Sequence, residues 1–143
     1  MNYWLMKSEP AVFGIDALAA APRQTTAWDG VRNYQVRNLL RDDFRRGDRA
    51  FFWHSSCAVP GIYGSLRVVR GGYPEPAEPR WYQVDVRLLR RFARPVTLSM
   101  LRQHADGSLR DLCVLRRGNR LSITPVTSGQ WHRILELADH STG

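Results

Sequence analysis

The segment WYQVDVRLLRRF, residues 81–92, is the clearest β-strand in the sequence. Apolar and polar side chains alternate along it, which is the period of a strand that buries one face. Shorter strand-like segments lie at residues 3–6, 49–55 and 61–70, separated by turns and helical patterns. This interleaving predicts an α+β fold in which helices pack outside a small, strongly bent sheet or barrel.

Four segments have helical character, and one of them, at residues 97–105, is predicted to be capped by Thr97. Residues 13–22 read as a short helix that ends at Pro22, and the apolar spacing from Tyr34 predicts a helix over 34–43. A last helix is predicted over 129–137, because Thr127 and Gln130 have the spacing of a capping box. Three arginines share another face of the second helix, where they form either a solvated surface or a contact with phosphates: Arg37, Arg41 and Arg45.

The length and composition fit an ordinary globular protein. With 143 residues, of which 43% are hydrophobic, we expect one domain over 1–143 with a loose tail at 139–143. No apolar run reaches the roughly 18 residues of a membrane helix, so no membrane association is expected. The first strand begins at Tyr3 and leaves no room for a signal peptide, which predicts a cytoplasmic protein. The sequence leaves the oligomeric state open.

The charge is strongly positive and almost entirely due to arginine. The net charge is +8, and Lys7 is the only lysine among the 21 basic residues. Arginine binds phosphate bidentately and stacks on bases, so nucleic acid is the first partner to consider. A genome rich in G and C produces the same bias without any function, so the charge alone does not decide.

The common catalytic and metal-binding signatures are absent. The sequence has no GxSxG, GxGxxG, Walker-type or HExxH motif. His54 and Cys57 lie three residues apart, but no second ligand pair follows, so neither a zinc site nor any cofactor is expected. This pattern favours a binding protein over an enzyme.

Aromatic and polar residues instead concentrate in three short segments, at residues 7–10, 28–33 and 53–55. A pocket for a planar heterocycle needs aromatic faces for stacking and a few polar groups for the edge. These segments supply both kinds of group. Core packing is the ordinary alternative for the tryptophans, and a helix N-cap is the ordinary alternative for Asn33.

Five ordered segments carry a family resemblance: YWLMKSEP at 3–10, WDGVRNYQVRN at 28–38, GDRAFFWHS at 47–55, PGIYG at 60–64 and RRGNRLSITPV at 116–126. Together they resemble the EVE domain, whose eukaryotic representatives include thymocyte nuclear protein. The resemblance implies a PUA-like fold, a mixed β pseudo-barrel with peripheral helices. Two departures stand out: Trp53 replaces a common tyrosine, and the loop at 71–80 is shorter than usual.

The resemblance also implies a function, namely recognition of modified bases in DNA or RNA, with 5-methylcytosine-type bases as candidates. The flipped base would enter a pocket formed by residues carried over from the motifs: Lys7, Ser8, Glu9, Trp28, Arg32, Asn33, Trp53, His54 and Ser55. We expect Trp28 and Trp53 to sandwich or line the base and Asn33 and Ser8 to contact its polar edge. Four arginines are predicted to form one phosphate-binding face: Arg32, Arg37, Arg117 and Arg120.

Two alternatives use the same pocket. Lys7, Glu9 and His54 are titratable groups that an enzyme acting on a nucleotide or a small heterocycle would need for proton transfer. A small-molecule sensor or a protein-interaction module would need only the pocket, and its affinity would depend little on salt.

Overall fold

Six strands form one mixed sheet in the computed structural model, which describes residues 1–140. The strands are β1 (Tyr3–Ser8), β2 (Thr25–Trp28), β3 (Arg49–His54), β4 (Gly61–Pro74), β5 (Tyr82–Thr97) and β6 (Ile123–Val126). The helices are α1 (Pro10–Phe13), α2 (Ile15–Ala20), α3 (Tyr34–Asp42), α4 (Leu98–Gln103) and α5 (Ser128–His140). Short 3-10 turns occupy Pro22–Gln24, Gly107–Leu109 and Cys113–Leu115.

The strand order is β2-β5-β4-β3-β1-β6, so β2 and β6 are the edges of the sheet. Strands β1 and β3 are parallel, and the other neighbouring pairs are antiparallel. The parallel pairing places the ends of β1 and β3 side by side, with Ser8 opposite His54. Two of the three predicted pocket segments therefore meet at one end of the sheet.

Both faces of the sheet are buried along β3. Ala50 and Phe52 point into one hydrophobic cluster, which includes Trp28 and residues of α2 and α3. Phe51 and Trp53 point into a second cluster, which includes residues of α4 and α5. The period of a strand predicts this division of residues 50–53 between two faces, and the structure confirms it. Both faces are apolar because helices or loops cover each of them.

Two glycines of β4 allow another part of the backbone to come close. A Cβ atom at Gly61 would lie 2.6 Å from the Val96 carbonyl oxygen, and one at Gly64 would overlap the Arg90 carbonyl. The register of β4 against β5 shifts between Ile62 and Gly64. Close packing of the bent β4/β5 pair therefore requires glycine at these two positions.

The predicted helix at 34–43 corresponds to α3 and that at 129–137 to α5. The capping box of α5 is formed: Thr127 Oγ1 accepts from the Gln130 N–H at 3.1 Å, and Gln130 Oε1 accepts from the Thr127 N–H at 2.9 Å. The predicted tail starts at residue 139, but α5 extends to His140. Residues 141–143 lie outside the described part of the chain.

Three predictions of local structure were wrong. Of the expected helix at 13–22, only residues 15–20 form a helix, α2; Gly14 is extended and separates α2 from α1, and Pro22 begins a 3-10 turn. Strand β2 was missed because its sequence, TTAW, is too short to show a period. Strand β4 continues to Pro74, through glycines that suggested a loop. No helix within residues 1–140 is long and apolar enough to cross a membrane.

Candidate functional site

A cavity of about 210 Å³ opens between the end of β1, helix α1 and the edge strand β2, and we call it the β1/β2 cavity. Its lining residues are Lys7, Ser8, Val12, Phe13, Thr26, Ala27, Trp28 and Asp29. Pro10 stops β1 and begins α1, which brings Phe13 back over the strand end. The Ser8 hydroxyl donates to the Phe13 carbonyl at 2.6 Å and fixes this arrangement.

Trp28 and Phe13 are the two aromatic residues that line the cavity. Trp28 is the one that sequence motifs predict. It is the last residue of β2, where it pairs with Val84 of β5. The indole is only 8% exposed and meets the Phe52 ring edge-on, with the ring centroids 5.4 Å apart. Trp28 is therefore both a core residue and a cavity wall.

Charged groups of opposite sign line the same cavity. Lys7 is half-buried at the end of β1, and burial lowers the pKa of its ammonium group. Asp29 is exposed and follows directly after β2. A ligand in the cavity thus meets a cationic donor, a carboxylate acceptor and an aromatic surface.

Glu75 holds the segment that carries Asp29. The Arg32 guanidinium binds the Glu75 carboxylate bidentately at 2.8 and 3.0 Å, and the Gly30 N–H donates to it at 3.2 Å. This hydrogen bonding raises the pKa of Arg32 and lowers the pKa of Glu75. The Arg32 guanidinium also lies 3.6 Å from the Glu78 carboxylate. Two carboxylates therefore already contact the group that was predicted to bind phosphate. Phosphate binding by Arg32 stays a prediction.

Asn33 acts as a helix cap and is not part of the cavity lining. Its Oδ1 accepts from the Val36 N–H at 3.0 Å at the start of α3. The cap that the sequence offered as an alternative is therefore present. Ser8 and Asn33, the predicted pair for the polar edge of a base, are not brought together as cavity walls.

Trp53 lies on the other face of the sheet. It is 3% exposed and packs in the cluster that contains Leu5 and Ile62, whereas Trp28 belongs to the first cluster. The two indoles, which were predicted to sandwich or line the base, are not brought together, because the sheet lies between them. Alternation along β3 places Trp53 and Phe52 on opposite faces, but no sequence signal indicates which face adjoins the cavity.

The three remaining motif residues do not line the β1/β2 cavity; they are His54, Ser55 and Glu9. His54 Nε2 accepts from the Ile15 N–H at 3.1 Å, and its ring stacks on Tyr63 with centroids 3.9 Å apart. His54 faces a separate cavity of about 240 Å³. The Ser55 N–H donates to the Ser8 carbonyl at 2.9 Å, and Glu9 is exposed at the N-cap of α1.

Acid is expected to destabilise the protein through His54. Burial lowers the pKa of His54, so between its folded and unfolded pKa values the unfolded state binds more protons. Stability should therefore fall as the pH drops below about 6.5. Melting temperatures at about pH 8 and about pH 5 should differ less for His54→Gln than for the wild type. The exposed His132→Gln is the matched control; an equal reduction in that variant would contradict the assignment.

The other predicted phosphate ligands lie at the surface. The Arg37 guanidinium donates to the Arg80 carbonyl at 3.0 Å and to Asn38 Oδ1 at 2.9 Å, and it lies over the Tyr34 ring. Arg117 and Arg120 are exposed in the loop before β6. Their role as one phosphate-binding face remains a prediction.

Sequence reasoning missed five residues of the cavity wall, namely Val12, Phe13, Thr26, Ala27 and Asp29. Val12 and Phe13 follow the stop signal at Pro10, which is the only local hint of their position. Thr26 and Ala27 belong to the unrecognised strand β2, and Asp29 lies in the predicted segment 28–33 but was not named as a contact residue. Within residues 1–140, no group of three His, Cys, Asp or Glu side chains is arranged to hold a metal ion.

The mixed six-stranded sheet with peripheral helices places the chain among the PUA-like α+β folds. The model of the EVE domain matches residues 2–137, so the chain belongs to the EVE domain family.

Relatives of known structure agree with this membership. Thymocyte nuclear protein 1 from Homo sapiens is 36% identical over an alignment of 169 residues, which covers 96% of this chain and 74% of that protein. The crystal structure of human THYN1 protein in complex with DNA containing 5-methylcytosine has a TM-score of 0.89 at 36% identity and covers 97% of this chain and 98% of that one. A crystal structure from Pseudomonas putida has a TM-score of 0.85 at 41% identity, with coverage of 95% and 99%.

Proposed function

We propose that this chain, as one domain, is a non-catalytic protein that binds modified bases of the 5-methylcytosine type in DNA by taking a flipped base into the β1/β2 cavity. The observation that carries the proposal is the combination of Trp28, Lys7 and Asp29 around one small opening. The human relative crystallised with 5-methylcytosine DNA supports the choice of partner.

The size of the cavity suits a single heterocycle. Its 210 Å³ is below the roughly 300–1,000 Å³ of sites for drug-sized ligands. Extruding a base costs a few kcal/mol, and stacking on one aromatic side chain returns about 1–3 kcal/mol. Contacts between arginines and phosphates must supply the rest of the affinity, which agrees with a net charge of +8.

The polar groups suit the edge of a cytosine. A carboxylate accepts from the exocyclic amino group of cytosine, and we assign this contact to Asp29. The Lys7 ammonium is the donor for the ring carbonyl. Val12 and Phe13 offer an apolar niche for the 5-methyl group, where one methyl is worth roughly 1–3 kcal/mol.

The enzyme alternative is less well supported than binding. Of the three titratable residues considered for proton transfer, only Lys7 lines the β1/β2 cavity, while Glu9 is exposed and His54 lines a different cavity. A binding role needs only Lys7, Trp28 and Asp29, which line the same cavity. A sensor or interaction module would show weak salt dependence, so binding at two salt concentrations separates it from a nucleic-acid partner.

Asp29→Ala is expected to remove the discrimination between 5-methylcytosine and thymine, because thymine carries the same methyl group but has no amino group to donate. A hydrogen bond to a charged group is worth about 1.5–3 kcal/mol. The difference in binding free energy between the 5-methylcytosine and thymine duplexes should therefore shrink by about that amount. The preference for 5-methylcytosine over cytosine should remain. Short DNA duplexes that differ at this one base, and their RNA counterparts, provide the measurement.

Asn33→Ala is the matched control for Asp29→Ala. Loss of its cap should lower the free energy of unfolding by about 1 kcal/mol and leave both affinity ratios unchanged. If Asn33→Ala abolishes the discrimination and Asp29→Ala does not, Asn33 contacts the base edge and the assignment to Asp29 is wrong.

A further inference from the structure

Three arginines face one another across neighbouring strands. Arg49 of β3 is the register partner of Arg67 of β4, which is in turn the register partner of Arg87 of β5. Side chains in register lie on the same face of a sheet, about 4.8 Å apart from strand to strand. Like charges placed directly opposite each other destabilise a sheet, so this row is unfavourable for the free protein.

Arg67 and Arg87 of this row also line a wide groove of about 710 Å³, which we call the arginine groove. Its cationic walls are Arg23, Arg46, Arg67 and Arg87, all of them exposed. Within residues 1–140, none of these four arginines takes part in an ion pair. The one carboxylate in the groove, Asp85, accepts a hydrogen bond from the Tyr73 hydroxyl. The groove thus carries four arginines against one carboxylate, an excess of positive charge.

The arginine groove and the β1/β2 cavity flank the same edge strand. Thr26 and Ala27 of β2 line both of them. Arg67 and Arg87 alternate with Leu66 and Val86 of the first cluster, so the groove lies on the other face of the sheet. The backbone of a strand whose base enters the cavity would reach the groove around the edge strand β2. We propose that Arg23, Arg46, Arg67 and Arg87 bind the phosphates of the strand that carries the flipped base; this rests on the proposed function.

Guanidinium groups suit this role because they bind phosphate bidentately and remain charged. Bound phosphates would also relieve the repulsion between Arg67 and Arg87. The groove therefore differs from Arg32, whose charge is already compensated by Glu75.

The test is the double variant Arg67→Gln/Arg87→Gln, measured on a short DNA duplex with one 5-methylcytosine and on its unmodified counterpart. The slope of log affinity against log salt should decrease by about two, one for each lost contact. Affinity should fall equally for both duplexes, so the preference for the modified base is kept. The melting temperature should not decrease, because the substitutions remove a repulsion.

The control is Arg94→Gln/Arg110→Gln, which removes the same charge from two other exposed positions. It should keep the wild-type salt slope. An unchanged salt slope in the groove variant would overturn the proposal. An equal decrease of the salt slope in the control would overturn it as well. If the wild type shows no preference for 5-methylcytosine but the groove variant still loses slope, the base-recognition proposal fails and the phosphate groove stands.

Discussion

Replacing Trp53 by alanine should lower the free energy of unfolding by about 3–5 kcal/mol without changing the preference for a modified base. Trp53 is 3% exposed and packs among Leu5, Ile62 and their neighbours on the sheet face away from the β1/β2 cavity. Truncating a large buried side chain leaves a void that the surrounding core fills only in part. The loss should therefore appear in stability alone.

Denaturant unfolding measures the stability loss for Trp53→Ala, and binding is compared at a temperature at which the variant stays folded. The affinities for duplexes with cytosine and with 5-methylcytosine should then have the wild-type ratio. A folded Trp53→Ala protein that has lost this ratio would show that the indole takes part in recognition.

Replacing Trp28 by alanine should lower both stability and affinity. The stability loss is again about 3–5 kcal/mol, because Trp28 is 8% exposed and packs on Phe52. Loss of base stacking should cost a further 1–3 kcal/mol of binding, or roughly 5- to 150-fold. The affinities for modified and unmodified DNA should fall together, since every base has a surface that stacks.

Trp53→Ala is the matched control for Trp28→Ala, because it makes the same substitution in the core on the other face of the sheet. Trp28→Phe should recover much of the binding, since a phenyl ring still stacks. Equal binding by both alanine variants, each tested while folded, would contradict the role of Trp28.

Two helix caps and the alternation of one strand were predicted correctly from local signals in the sequence. The capping box at Thr127 and Gln130, the Asn33 cap and the alternation in β3 are all present. Each depends on residues a few positions apart, whose geometry is set by a single helix turn or strand. The EVE resemblance was likewise confirmed by the family model over residues 2–137.

Contacts between distant segments were not predictable in the same way. Arg32 and Glu75 are 43 positions apart, and nothing near Arg32 indicated a carboxylate partner. Trp28 is the last residue of β2 and Trp53 the second-last residue of β3, and only the packing on each face distinguishes them. The arginine row depends on the register of three strands, with a shift in β4 against β5 on each side of it.

The most direct measurement is a crystal structure of this chain bound to a DNA duplex that contains one 5-methylcytosine. We predict that the base lies outside the helical stack in the β1/β2 cavity, with its ring against Trp28 and its amino group at Asp29. A structure in which the 5-methylcytosine stays stacked and paired, or lies elsewhere on the protein, would contradict the account.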